Sequence, residues 1–201
     1  MSVRPTTLLL CGLALYGLSL TLLVRADLGL APWDVFHQGV ADTIGLSLGA
    51  TIVLTSFAVL TLWIPLRERP GVGTVANAVL VGVGVEVFSA AIPDVESIWV
   101  RVALLVLGVV GNGVATGMYI GAGMGSGPRD GLMTGIARRR GSIRVVRTAI
   151  EVTVLVTGIV LGGTFGIGTV AYAVGIGPLA QFFLPIFTRV GVVPRRQPVV
   201  V

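Results

Sequence analysis

Gly29-Leu30-Ala31-Pro32-Trp33-Asp34 and, 96 residues further on, Gly125-Ser126-Gly127-Pro128-Arg129-Asp130 are the two stretches whose reading decides the fold. The same offset carries Gly39 to Gly135 and Gly45 to Gly141. A second block, Gly71-Val72-Gly73-Thr74-Val75, returns as Gly166-Ile167-Gly168-Thr169-Val170 with a slip of one residue. The chain therefore states one plan twice, over most of its 201 residues.

The setting of that plan is lipid. Apolar residues make up 54% of the chain and charged residues 11%, against about 25% charged in an ordinary soluble domain. Uncharged runs are long: Pro5 to Val24 is 20 residues, Thr43 to Leu66 is 24 and Val102 to Pro128 is 27. About 20 suffice for a helix to cross a bilayer. Pro70 to Pro93 is broken only by Glu86, and Thr148 to Thr188 only by Glu151, with clustered glycines at 162–166 to turn the chain between two spans. The expected fold is an all-α membrane protein with six transmembrane helices, at about 5–24, 48–66, 72–92, 101–121, 146–163 and 169–188. It forms one membrane domain, with repeat 1 at about 5–93, repeat 2 at about 101–188 and a cytoplasmic tail at 189–201.

An odd number of crossings separates equivalent points of the two repeats, so the three-helix halves are expected to insert upside down relative to each other. The arginines agree. All fourteen basic residues are Arg, and on this topology twelve, Arg129 among them, fall on one side, with Arg25 and Arg101 on the other. The positive-inside rule makes that side, and both termini, cytoplasmic. Arginines spread over several short loops argue for lipid head groups and against nucleic acid as the partner of the +5 net charge. Val24-Arg25-Ala26 resembles a signal-peptidase site, but the apolar run before it exceeds the 7–15 residues of a signal core, so it is expected to remain as a span. Cys11 is the only cysteine, which excludes an intramolecular disulfide and a thiolate metal cage.

Each Pro-x-Asp motif reads as a helix start, with proline at the first position and an acid facing the positive end of the dipole. The segment from Trp33 to Ile44 is too short to cross. Trp33, Phe36, Val40 and Ile44 share one face and Asp34, Gln38 and Asp42 another, as in a helix lying at the interface. The alternative is re-entrant: two short helices entering from opposite faces, their N-termini converging inside the membrane. Such ends favour anions, whereas Asp34 and Asp130 compete with an anion and favour a cation or a protonated donor.

Candidates for a solute or ion path are Pro32, Asp34, His37, Glu86, Ser126, Pro128, Asp130 and Gln181. Glu86 and Gln181 are repeat partners, and an acid inside a span is costly without a role. Its alternative is a hydrogen-bonded glutamate that holds helices together. His37, the only histidine, is expected at head groups or in water. Glu151 is expected to pair with Arg147 four residues before it, and Asn77 and Asn112 to hydrogen-bond between helices. Gly113, Gly117, Gly121 and Gly125 lie along one face of the fourth span and are expected to pack helices closely, within the chain or in a homodimer. No metal site, cofactor or enzyme signature is present: there is no H-E-x-x-H helix, no G-x-S-x-G elbow and no P-loop lysine.

Asp27 to Gly39, Gly125 to Met133 and Gly162 to Val170 together resemble the YczE/YyaS/YitT family of bacterial integral membrane proteins, the YczE branch most of all. The resemblance covers nearly the whole chain. It implies a multi-pass protein of the bacterial inner membrane and supplies no catalytic residues. The expected function is that of a small-solute transporter or channel component with a path between the halves. The alternatives are a non-transporting scaffold or regulatory partner, and a substrate-binding subunit of an ATP-driven importer.

Overall fold

The structure, a computed structural model, describes residues 4–190. Every regular element among the described residues is a helix; the expected spans at about 5–24, 72–92, 101–121, 146–163 and 169–188 each fall on one helix, and 48–66 is divided between two. The order is α1 (Pro5–Ala26), α2 (Pro32–Ile44), α3 (Leu48–Thr61), α4 (Trp63–Leu66), α5 (Val72–Ala91), α6 (Ile98–Gly121), α7 (Pro128–Arg140), α8 (Ile143–Val160) and α9 (Ile167–Val190). Among the described residues five segments are long and apolar enough to cross a membrane: Pro5–Ala26, Leu48–Leu66, Val72–Ala91, Ile98–Gly121 and Ile167–Arg189. The helix α8 is not among them, because its 18 residues include Arg144, Arg147 and Glu151. Beyond Val190 the expected tail lies outside the described residues.

Leu54, Phe57, Val83, Val106, Leu107, Val174 and Phe182 all face outward on these helices. Large apolar side chains spread around a whole bundle suit a hydrocarbon surround, since water penalises each of them. Inside, α1 and α6 form the central pair, with α5 against α1 and α9 against α6. Leu9, Leu13, Leu23, Val81 and Val85 fill the space between them. A second cluster, Trp33, Val59, Leu132 and Met133, sits where α2, α3 and α7 come together, with Ile150 and Val154 of α8 packed on it.

The glycine face of α6 is used within the chain. A Cβ on Gly113, Gly117 or Gly121 would stand 2.6, 2.9 and 3.0 Å from the Cβ atoms of Leu179, Phe183 and Phe187 on α9. Glycines spaced by four thus receive large side chains spaced by four, and this face is covered without a second copy of the chain. Gly125 does not belong to it. The helix ends at Gly121, Gly123 takes φ 66° and Gly125 φ 131°, and a Cβ on Gly125 would lie 2.6 Å from Thr74 Oγ1.

Corresponding residues make corresponding bonds. Gly168 N–H donates to Leu28 O at 2.7 Å, and Gly73 N–H donates to Met124 O at 2.8 Å. Gly166 N–H donates to Thr169 Oγ1 at 3.3 Å, and Gly71 N–H to Thr74 Oγ1 at 3.2 Å. In each case the loop before a short helix is tied to a glycine-rich helix start in the other half of the chain. The short helices also reach across, α2 packing on α8 and α7 on α3 and α4.

One seam breaks the correspondence. Gly49 of α3 and Gly82 of α5 meet backbone to backbone, and a Cβ on either would overlap the carbonyl oxygen of the other. At the matching places on α8 and α9, Val145 is exposed and a Cβ on Gly177 would meet nothing within 4 Å.

Candidate functional site

The two Pro-x-Asp motifs build the same local structure. Ala31 and Gly127 are extended at φ −60° with ψ 151° and 158°, and Pro32 and Pro128 open α2 and α7. Proline carries no N–H and its ring holds the φ that the first helical turn needs, so chain direction is set there at little cost. Arg129, one residue into α7, then reaches the start of α2. Its Nη2 stands 3.8 Å from Asp34 Oδ1, and its guanidinium carbon lies 5.3 Å from the centre of the Trp33 ring. The flat, weakly hydrated guanidinium suits both neighbours, the ring face by cation–π attraction and the carboxylate by charge.

Asp34 is 4% exposed, and its Oδ1 also lies 3.2 Å from His37 Nδ1. Its Oδ2 and the Nε1 of Trp33 are buried and have no hydrogen-bond partner among the described residues. Leaving such groups unpaired costs about 1–3 kcal/mol each. The Arg129 side chain keeps 21% of its surface accessible. Beside it, Asp130 Oδ2 accepts a hydrogen bond from Tyr119 Oη at 2.5 Å, and the Tyr119 ring meets Tyr16 edge-on with centroids 5.9 Å apart. Tyr172 Oη donates to Asn112 Oδ1 at 3.0 Å, and Asn112 Nδ2 donates to Ser19 Oγ at 3.4 Å. Tyr16 and Asn112 stand near the middle of α1 and α6, and Tyr119 in the last turn of α6, so the polar groups run from the middle of the central pair toward the end of α6.

Of the sequence candidates, Pro32, Asp34, His37, Pro128 and Asp130 come together here. Ser126 is half-buried in the loop entering α7. His37 is corrected: it is 1% exposed, beside the Trp33 and Phe36 rings and the Asp34 carboxylate, and does not face water. The first two turns of α2 bury Trp33, Asp34, Val35 and His37 together, so they do not lie with one face in water as an interfacial helix would. Glu86 takes the second of its two readings, a hydrogen-bonded glutamate between helices. Glu86 Oε1 accepts from Gly49 N–H at 2.8 Å, capping the first turn of α3, and Gln181 is exposed on α9. Neither touches the Asp34–Arg129 pair. Arg147 pairs with Glu151 at 2.9 Å, as the spacing suggests. Arg129, counted above with the cytoplasmic arginines, directs its charge at an acid of the other motif.

Sequence reasoning missed Arg129, Trp33 and the tyrosines as site residues. A signal existed. The chain has three tyrosines, and all three gather around this patch. At the repeat offsets Tyr16 matches Asn112 and Asn77 matches Tyr172, so polar groups recur at matching depths inside apolar runs. Among the described residues no three His, Cys, Asp or Glu side chains gather as metal ligands.

Residues 3–185 match a family described as a family of unknown function, DUF6198. An uncharacterized protein of Haemophilus influenzae is 36% identical over 195 residues, covering 96% of this chain and 89% of its own length. The uncharacterized membrane protein YczE of Bacillus subtilis is 35% identical over 172 residues, 85% of this chain and 80% of that one. The chain belongs to this YczE-like family of membrane proteins. The uncharacterized protein YyaS of the same bacterium is a more distant YczE-like relative, 28% identical over 89% of this chain and 91% of its own. No solved structure matches the chain. The YczE-like helices therefore belong in a membrane, which is the surround that their outward-facing apolar residues require.

Proposed function

We propose that this chain is a small-solute transporter or channel component of the bacterial inner membrane, with both termini cytoplasmic and two inverted halves framing a path at their interface. The observation that carries this reading is the meeting of Arg129 with Asp34, because it joins the starts of two short helices from the two halves. On this topology α8 is the sixth crossing, with Arg144 and Arg147 near its cytoplasmic end, and the short helices are re-entrant. Inverted halves with broken helices pointing into the centre are a recurrent transporter plan. The closed α3–α5 seam and the gap beside Gly177 add support, since alternating access needs one half shut while its counterpart is open. The protein's contribution is binding and release, with no chemistry performed on the solute. A path between the halves is complete within one chain.

The second reading, a membrane partner that does not transport, is favoured by the local satisfaction of Asp130 by Tyr119 and of Glu86 by Gly49. Osmotic swelling of proteoliposomes, followed by stopped-flow light scattering with a panel of small polar solutes, separates the two. At least one solute is expected to enter faster than in empty vesicles. Asp34→Asn should abolish that entry and Glu86→Gln should preserve it, because the amide oxygen can still accept from Gly49 N–H. Swelling no faster than in empty vesicles for every solute contradicts transport.

A further inference from the structure

We infer that the Asp34–Arg129 patch is a binding site for a small zwitterion, a solute with a carboxylate-type group at one end and an ammonium-type group at the other. The inference rests on the transport reading for its location and names the class of solute. Three unmet hydrogen-bonding capacities belong to neighbouring residues. Asp34 Oδ2 is a buried acceptor without a donor, and Trp33 Nε1–H is a buried donor without an acceptor. The Arg129 guanidinium, part-accessible and 3.8 Å from Asp34, is beyond hydrogen-bond distance of that carboxylate.

Charge decides between solute classes. A simple anion placed on Arg129 would meet Asp34 immediately and Asp130 on the next residue of α7. A simple cation placed on Asp34 would meet the guanidinium. Each would be desolvated beside a like charge, which is heavily penalised in a low-dielectric setting. A zwitterion answers both: its anionic group accepts from Arg129 and Trp33 Nε1–H, and its cationic group donates to Asp34 Oδ2. Discrimination of this kind comes from the groups left unpaired by the wrong solute as much as from those satisfied by the right one. The Trp33 ring under the guanidinium fixes the direction in which Arg129 presents its donors. Relief of the two orphaned atoms on binding is the driving term.

The test uses the full chain in lipid nanodiscs. Thermal unfolding is measured with glycine, β-alanine and γ-aminobutyrate, and with acetate, propionate, ethylamine and propylamine at matched ionic strength. At least one zwitterion is expected to raise the melting temperature by about 5 °C at roughly a hundredfold excess over its Kd, while the matched anions and amines leave it unchanged. Asp34→Asn and Arg129→Gln should each remove the shift. If either variant fails to fold, Trp33→Phe keeps the ring and deletes only the N–H, and should weaken zwitterion binding about tenfold. Shifts as large with acetate or ethylamine, no shift with any zwitterion, or undiminished binding to Asp34→Asn or Trp33→Phe would overturn the inference. The two proposals fail separately: zwitterion binding without solute entry removes transport and keeps the ligand class, and entry of a simple ion removes the ligand class and keeps transport.

Discussion

Arg129→Gln is expected to destabilise the folded protein by about 3 kcal/mol, the range seen when one member of a buried ion pair is removed and its partner is left behind. Asp34 is the more enclosed member, 4% exposed against 21% for Arg129, so the bereaved carboxylate has little access to water. The converse change, Asp34→Asn, should cost about half as much, since the guanidinium that remains is still part-solvated and still lies on Trp33. The double variant should recover much of the loss, because two neutral amides in place of two charges need no compensation. Thermal unfolding of the four proteins in one detergent closes the cycle. Additive losses would show that the two side chains do not interact, and a larger loss for Asp34→Asn would show that the wrong member has been taken as the buried one.

Gly163→Ala should be about as damaging. The backbone of α2 lies directly on the end of α8: a Cβ on Gly163 would overlap the Val35 carbonyl, and one on Gly158 would stand 2.5 Å from Phe36 N. Backbone cannot swing aside as a side chain can, so α2 must lift away, and the start of α2 that carries Asp34 lifts with it. A loss of about 3 kcal/mol follows from overpacking at a backbone contact, the upper end of the usual range. Gly177→Ala is the matched contrast. Nothing lies within 4 Å of its Cβ position on α9, and alanine exceeds glycine in helix propensity by about 1 kcal/mol, so that variant should unfold at or above the wild-type temperature. Fluorescence-detected size exclusion after graded heating compares the two. Equal melting points would contradict close packing of α2 on α8.

The helices were legible because each is a local statement. Pro32 and Pro128 announce helix starts, Gly45 at φ 71° ends α2, and uncharged length marks the spans. The repeat offset located the two motifs that meet in the site. Their meeting was not legible, since 95 residues separate Asp34 from Arg129 and no period relates a residue in one half to its contact in the other. His37 illustrates the cost: as a polar side chain it is expected at head groups or in water, whereas packing at the start of α2 leaves it 1% exposed beside Trp33 and Phe36. Glu86 was left between two readings for a related reason. An acid inside a span invites a functional reading, but this one satisfies the free N–H of Gly49, a need created only when α3 and α5 come together.

The proposed transport path requires two short helices that start inside the bundle and run toward opposite faces. Side-specific labelling tests that directly. In a Cys11→Ala background, Asp42→Cys near the exposed end of α2 and Arg139→Cys near the exposed end of α7 are each exposed to a membrane-impermeant maleimide, first in intact cells and then in inverted vesicles. The account predicts that the residue 42 variant labels only from outside the cell and the residue 139 variant only from the cytoplasmic side. Labelling of both from one face would contradict it.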